Sequence, residues 1–192
     1  MQDAIRLNAV KSVAKRRRAR GSFITEFMGT WGLYALIGAL ALAAIGTAYI
    51  VFWGTSETEN VSRLYSGVMP LKSSRGGYGT TGADLVPVLV SSDVVPRNMN
   101  VTGTGANARI TNNWGGTVTV EAADNGQKFT IGLGSVPVSQ CPKMVQTLSN
   151  SGSFSAITVG STELAEIPTT IAAATNACGS SGVVDLEFTS VN

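Results

Sequence analysis

The fold is decided by the stretch that runs from Trp31-Gly-Leu-Tyr-Ala-Leu-Ile-Gly-Ala-Leu40 to Ile50-Val-Phe-Trp53. No residue from Phe27 to Ser56 carries a charge. A helix over residues 31–53 would be about 34 Å long, which is enough to cross the apolar core of a bilayer. Tryptophan and tyrosine lie towards both ends of the stretch, as they often do at membrane interfaces. The sequence therefore predicts a membrane-spanning helix.

The charges are distributed unevenly on either side of this helix. Residues 1–21 contain seven of the 14 Lys and Arg residues and one of the 12 Asp and Glu residues, so the segment carries +6. The remaining seven cations and 11 anions give the rest of the chain a charge of −4. A basic run such as Arg16-Arg-Arg18 can bind nucleic acid, but its place before a membrane helix favours a topology signal. The basic segment is then cytoplasmic and the C-terminal part faces outward.

The residue types present exclude several classes of chemistry. The chain has no histidine and two cysteines. Histidine-based acid–base catalysis, histidine triads and cysteine-rich zinc sites are therefore excluded. No pair of residues offers a nucleophile and a base, so the sequence predicts neither an enzyme nor a metal or cofactor site.

The junction Arg20-Gly21-Ser22-Phe-Ile-Thr-Glu26 joins the basic segment to the apolar one. Glu26 stands at the edge of the apolar helix, where a charge is costly unless it is paired. Three interpretations are open at this point. The segment is a permanent membrane anchor, a cleaved secretory signal with an unusually long apolar region, or a specialised processing site after Gly21.

Gly21, followed by Ser-Phe-Ile-Thr-Glu26 and a long apolar helix, resembles the class III processing site of type IV prepilins, and the long leader is similar to the type IVb subgroup. Downstream pieces resemble the major pilins of conjugative-plasmid thin pili, in the family's order. They are Asp84-Leu-Val, Val95-Pro96, Asn113-Trp-Gly-Gly-Thr-Val-Thr-Val120, Phe129-Thr-Ile, Val136-Pro137 with Cys141, and Cys178 with Leu186-Glu-Phe-Thr189. The resemblance covers nearly the whole chain. The sequence departs from it in having Ser22 as the first mature residue and no proline before Pro70.

The resemblance implies a structural subunit rather than an enzyme. A prepilin peptidase would remove the leader, residues 1–21, and residues 22–54 would form a transmembrane helix that becomes the filament core. Residues 55–192 would form a periplasmic head while the subunit waits in the bacterial inner membrane. The pilus assembly machinery would then build a helical homopolymer outside the cell, which serves adhesion or conjugation. The implied partners are further copies of the chain, the peptidase, the machinery and a cell-surface receptor, with no nucleic acid and no cofactor.

The same resemblance implies roles for individual residues. Gly21 and Ser22 would flank the cleaved bond, and Glu26 would pair with the α-amine of a neighbouring subunit; alternatively, lipid headgroups solvate Glu26. Small residues at Ala35, Ala39 and Ala43 would allow close helix packing, although an alanine-rich helix shows such spacing by composition alone.

Cys141 and Cys178 would lie in an oxidising compartment on the predicted topology, which favours a disulfide over two free thiols. A disulfide between Cys141 and Cys178 would close the chain between them into a loop. The freedom that the unfolded chain loses would contribute roughly 4 kcal/mol to stability.

Two other functions stay open. One is a single-span periplasmic binding module that never polymerises. The other, within the pilin class, is a minor pilin or a secretion pseudopilin, although the sparse acidic residues of the head argue against a calcium-binding pseudopilin.

The predicted fold class is α+β, with a long N-terminal helix and a C-terminal globular head built on an antiparallel sheet. The amphipathic half of the helix has one apolar face and ends near Pro70; the face consists of Val61, Leu64, Tyr65, Val68 and Met69. Further helices are predicted over 84–92, after Ser139 as N-cap with Pro142 in the first turn, and over 170–177. Strands are predicted over 117–121, 128–131, 156–159 and 184–188, with a hairpin turn at Asp124-Asn125-Gly126.

Overall fold

The computed structural model describes residues 34–42 and 56–191, and the chain divides into two units, Met1–Ile50 and Val51–Asn192. In the first unit, residues 34–42 are α-helical and their side chains are exposed. Within the described ranges, no helix has both the length and the apolar character that a membrane crossing requires. Most of the predicted apolar helix, 22–54, lies outside those ranges.

In the second unit, residues 56–68 form a helical segment whose apolar face is buried. Val61, Leu64 and Val68 are fully buried, and Tyr65 packs against the same core. The segment then tightens into the 3-10 turn Met69–Leu71. Proline lacks an N–H and disfavours helical backbone at the residue before it, so Pro70 ends the α-helix. The prediction that Met69 belongs to the buried face is wrong, since Met69 is 37% exposed.

A seven-stranded sheet lies at the centre of the head, and all its pairings are antiparallel. The strands are β1 (Asn100–Thr102), β2 (Arg109–Thr111), β3 (Thr117–Ala123), β4 (Lys128–Pro137), β5 (Phe154–Val159), β6 (Thr162–Glu163) and β7 (Val183–Ser190). Their order across the sheet is β1-β2-β3-β4-β7-β5-β6. The predicted α+β class with an antiparallel sheet is therefore confirmed.

The hairpin of β3 and β4 follows directly from the sequence pattern. Exposed and buried residues alternate along β3, as expected of a strand with one face on the core. The connection adopts positive φ at Asp124, Asn125 and Gly126, the conformation that Asn and Gly tolerate best. The predicted strands and turn are confirmed here, with Val120 opposite Ile131 in the register.

Among the described residues, the head also contains three short helices, α1 (Val86–Ser91), α2 (Cys141–Ser149) and α3 (Ile171–Cys178). The predicted position of Pro142 in the first turn of α2 is confirmed, but the residue before the helix is Gln140, and its side chain makes no cap. The expected N-cap at Ser139 is therefore wrong by one position. At α3, the Thr170 hydroxyl accepts a hydrogen bond of 3.2 Å from the Ala173 N–H.

The core of the head lies between the helices and one face of the sheet. Aromatic rings connect its parts, since the Tyr65 ring lies 5.4 Å from Phe129 in β4 and 5.3 Å from Phe154 in β5. Phe154 in turn lies 5.3 Å from Phe188 in β7. Tyr65 therefore anchors the helical segment 56–68 to three strands of the sheet, directly or through one intermediate ring.

Candidate functional site

The predicted site residues fall into two groups. Gly21, Ser22, Glu26 and Ala43 lie outside the described residues, so their roles stay predictions. Ala35 and Ala39 lie four positions apart, on one face of the helical residues 34–42. Large apolar side chains beside them are 53–72% exposed, namely Tyr34, Leu36, Ile37, Leu40 and Leu42. The first unit thus presents an apolar helical surface within its described part.

A disulfide joins Cys141 to Cys178, as predicted. Cys141 is the first residue of α2 and Cys178 is the last residue of α3, and both are buried. Their Cα atoms are 5.9 Å apart, which is a usual separation for a bridged pair. The disulfide therefore connects the N-terminal end of α2 to the C-terminal end of α3, and the two helices are antiparallel.

The other ends of α2 and α3 are linked by a hydrogen bond. The backbone N–H of Thr169 donates to the Ser149 hydroxyl across 3.2 Å, and Ser149 is buried. Between the two links, α2 turns Met144, Val145 and Leu148 into the core, as the sequence predicts. A link at each end thus holds α2 beside α3, and the buried apolar residues between the links hold α2 on the core.

A turn at residues 112–116, called here the asparagine turn, connects β2 to β3 around the buried Asn112. The Asn112 Nδ2 donates to the Gly134 carbonyl at 2.7 Å, while its Oδ1 accepts from the N–H groups of Trp114 at 3.0 Å and Gly116 at 2.8 Å. A Cβ on Gly116 would collide with the Gly134 carbonyl, so this position requires glycine. One side chain therefore holds the turn closed and fixes it to β4.

Replacing Asn112 with alanine should lower the free energy of unfolding by about 2 kcal/mol, because two backbone N–H groups and one carbonyl lose their partner. Chemical denaturation of the full chain in detergent measures the change. Asn150→Ala is the matched control, because Asn150 is exposed and its Nδ2 donates at 2.7 Å to the backbone carbonyl of Gln146, one turn earlier. This variant should lose less stability than Asn112→Ala. Equal losses in the two variants would contradict the role given to Asn112.

Glu57 is a residue that the sequence reasoning missed. It is fully buried, and its Oε1 accepts a hydrogen bond of 2.7 Å from the backbone N–H of Asn113 in the asparagine turn. Burial raises the pKa of the Glu57 carboxyl, and the Asn113 N–H and the Asn60 amide oppose this rise. The spacing was the available signal, because Glu57 precedes Val61 by one helical turn and so lies on the apolar face.

The outer face of the sheet carries a shallow groove of about 340 Å³. Threonines of β3 line one side and acidic residues of β7 the other, with Gly132 and Gly134 of β4 between them. In the described part of the chain, no three His, Cys, Asp or Glu residues are grouped so that they could hold a metal ion.

Comparison with known proteins adds the family. Residues 54–191 match the family model described as PilS N terminal. A crystal structure of a type IVb pilin from Salmonella typhi is 28% identical, with a TM-score of 0.60 over 70% of this chain and 97% of that chain. A solution structure of the Salmonella typhi type IVb pilin PilS is 26% identical, with a TM-score of 0.48 over 71% of this chain and 94% of that chain.

A more distant structure shares the fold. The crystal structure of TcpA, a type IV pilin from Vibrio cholerae El Tor biotype, is 13% identical, with a TM-score of 0.51 over 71% of this chain and 97% of that chain. No curated protein matches the sequence.

Proposed function

Because this chain belongs to the PilS N-terminal family, we propose that it is made as a type IVb prepilin, cleaved after Gly21 and polymerised into a surface pilus. The observation that carries the proposal is the family match over the whole described head. It is supported by the similar type IVb pilin, 97% of whose chain is covered. The chain is thus a pilin subunit; its processing, its partners and the use of its fibre are what we propose.

Processing is proposed at the bond between Gly21 and Ser22. A residue without a side chain before the cut lets a peptidase approach the backbone closely. The basic leader holds this bond at the cytoplasmic face, and removing the leader changes the charge of the chain from +2 to −4. The catalytic groups belong to the prepilin peptidase.

Polymerisation is proposed to combine helix burial with one charge pair. The new α-amine of Ser22 pairs with Glu26 of a neighbouring subunit, which compensates a carboxylate that an apolar filament core would otherwise leave alone. Small residues at Ala35, Ala39 and Ala43 let neighbouring helices approach closely. Before assembly, the subunit waits in the inner membrane with its head in the periplasm, and the assembly machinery then extracts it.

The finished fibre is proposed to serve adhesion or conjugation, with the heads outward. A cell-surface receptor is the partner expected for adhesion. The head brings no excess of positive charge to its surface, so a nucleic acid is not expected to bind it by bulk charge.

Sheared and purified surface fibres provide the test. N-terminal sequencing should read Ser-Phe-Ile-Thr-Glu, because that result requires both cleavage after Gly21 and incorporation into the fibre. Mass spectrometry of the same material checks that the leader is gone. Finding the chain only in the membrane fraction, with residues 1–21 still attached, would instead identify a single-span periplasmic protein.

A further inference from the structure

Two hydrogen bonds fasten the helical segment 56–68 to loops that are distant in sequence. The Asn113 N–H donates to Glu57 Oε1 at 2.7 Å, and Asn98 Nδ2 donates to Ser56 Oγ at 2.6 Å. The first of these bonds is partly buried and depends on an ionisable group, whereas the second is exposed. The attachment of the segment to the asparagine turn is therefore sensitive to the state of the Glu57 carboxyl.

The polar groups around this carboxyl are incompletely paired. Glu57 Oε2, Asn60 Nδ2 and Asn113 Nδ2 are buried and have no hydrogen-bond partner among the described residues. An ionised carboxylate in such surroundings is costly, since burial removes it from water and the Asn113 N–H and the Asn60 amide offset that loss only in part. A neutral carboxyl removes most of that cost.

Among residues 34–42 and 56–191, no charged side chain offsets the buried carboxylate. Within its own segment, the exposed Glu59 and Arg63 pair with each other at 2.6 Å. The asparagine turn, residues 112–116, has no ionisable side chain, and residues 43–55 contain no Lys, Arg, Asp or Glu. Beside Asn98, Arg97 is exposed. Apart from burial, the groups that act on the Glu57 carboxyl are the Asn113 N–H and the Asn60 amide.

We propose that Glu57 is a proton-binding site inside the head, and that a proton on Oε2 stabilises the packed arrangement in which the helical segment contacts the asparagine turn. Oε1 continues to accept from the Asn113 N–H while the new O–H donates to a neighbouring amide. The Asn60 side chain already acts on the carboxyl, and a half-turn of its amide places the carbonyl oxygen where Nδ2 lies, which offers the O–H an acceptor. This proposal rests on the geometry of the head, whether or not the subunit polymerises.

The direction of the pH effect follows from the raised pKa of Glu57 in the folded head. At pH values below about 4.5, the ordinary pKa of this carboxyl, the group is neutral in both the folded and unfolded states. The folded state then carries no penalty for burying a charge. As the pH rises from there through the folded pKa, the unfolded chain releases its proton first, so stability is lost. Between these two pKa values, the folded-to-unfolded ratio falls by up to tenfold per pH unit relative to a chain without this group.

The test combines a titration with a matched pair of variants, both in the full chain in detergent micelles. Side-chain NMR of ¹³C-labelled glutamates should show Glu57 titrating above the ordinary glutamate pKa of 4.5. Denaturation at several pH values should show that Glu57→Gln, which keeps an acceptor for Asn113, gains stability relative to wild type as the pH rises. Glu59→Gln changes an exposed carboxylate two residues away and should show no such gain.

Two results would overturn the proposal: Glu57 titrating at or below the ordinary glutamate pKa of 4.5, or wild type and Glu57→Gln keeping a constant stability difference across the pH range. Should the Glu57→Gln chain fail to fold, the titration of Glu57 in the wild-type chain decides the question alone.

Discussion

A Glu26→Ala subunit should lose its leader normally and then fail to enter surface fibres. On the proposed assembly, each incoming subunit brings an α-amine that needs a carboxylate partner in an apolar surrounding. Removing one member of a buried pair costs about 3–5 kcal/mol, because the other member stays desolvated and unpaired. The addition of each subunit should therefore weaken by roughly a hundredfold or more.

Fibre yield in sheared fractions, together with the mass of the cellular subunit, measures this outcome. Glu59→Ala is the control, because it removes an exposed carboxylate whose partner, Arg63, is equally exposed. Such exposed pairs contribute little, so its fibres should form at the normal level. Normal fibres from Glu26→Ala would refute the proposed pairing. An uncut Glu26→Ala precursor would place the defect in processing instead.

Removing the disulfide should have the largest effect on the stability of the head. A Cys141→Ala/Cys178→Ala variant should lose roughly 4 kcal/mol, since its unfolded chain regains the freedom of a long loop. The bridge spans 37 positions and encloses β5, β6 and most of both helices that it joins. Alanine avoids adding an unpaired hydroxyl at two buried positions.

Denaturation of the oxidised wild type, the reduced wild type and the double variant measures this effect. Reduction should destabilise the wild type by a similar amount and leave the double variant unchanged, which separates loss of the bridge from side effects of the reductant. A wild type with equal stability before and after reduction would show that packing of α2 on the core suffices.

Local sequence patterns predicted the parts of the head in which apolar residues recur at the period of a strand or a helix. The alternation along β3, the turn around Asn125 and the apolar positions of α2 follow from residues close in sequence. In contrast, β1, β2 and β6 were not predicted. These strands have two or three residues each and depend on pairing, as between Val101 and Ile110. A strand so short has too few residues to show a period of two.

The functional residues also divide into those that the sequence predicted and those that it did not. The disulfide was predictable because only two cysteines are present and the predicted topology places both outside the cytoplasm. The role of Glu57 was not, because its partner is a backbone N–H 56 positions away. The helical spacing places Glu57 on the apolar face, but only the packed structure shows that the Asn113 N–H meets its carboxyl there.

The place of β7 in the sheet bears on when the head can fold. This strand covers residues 183–190, yet it pairs with both β4 and β5 near the middle of the sheet. During synthesis, the ribosome releases β4 and β5 first, and neither has its shared neighbour until β7 emerges. The sheet therefore closes late, and a chain that ends before Val183 is left with two half-sheets that expose open edges.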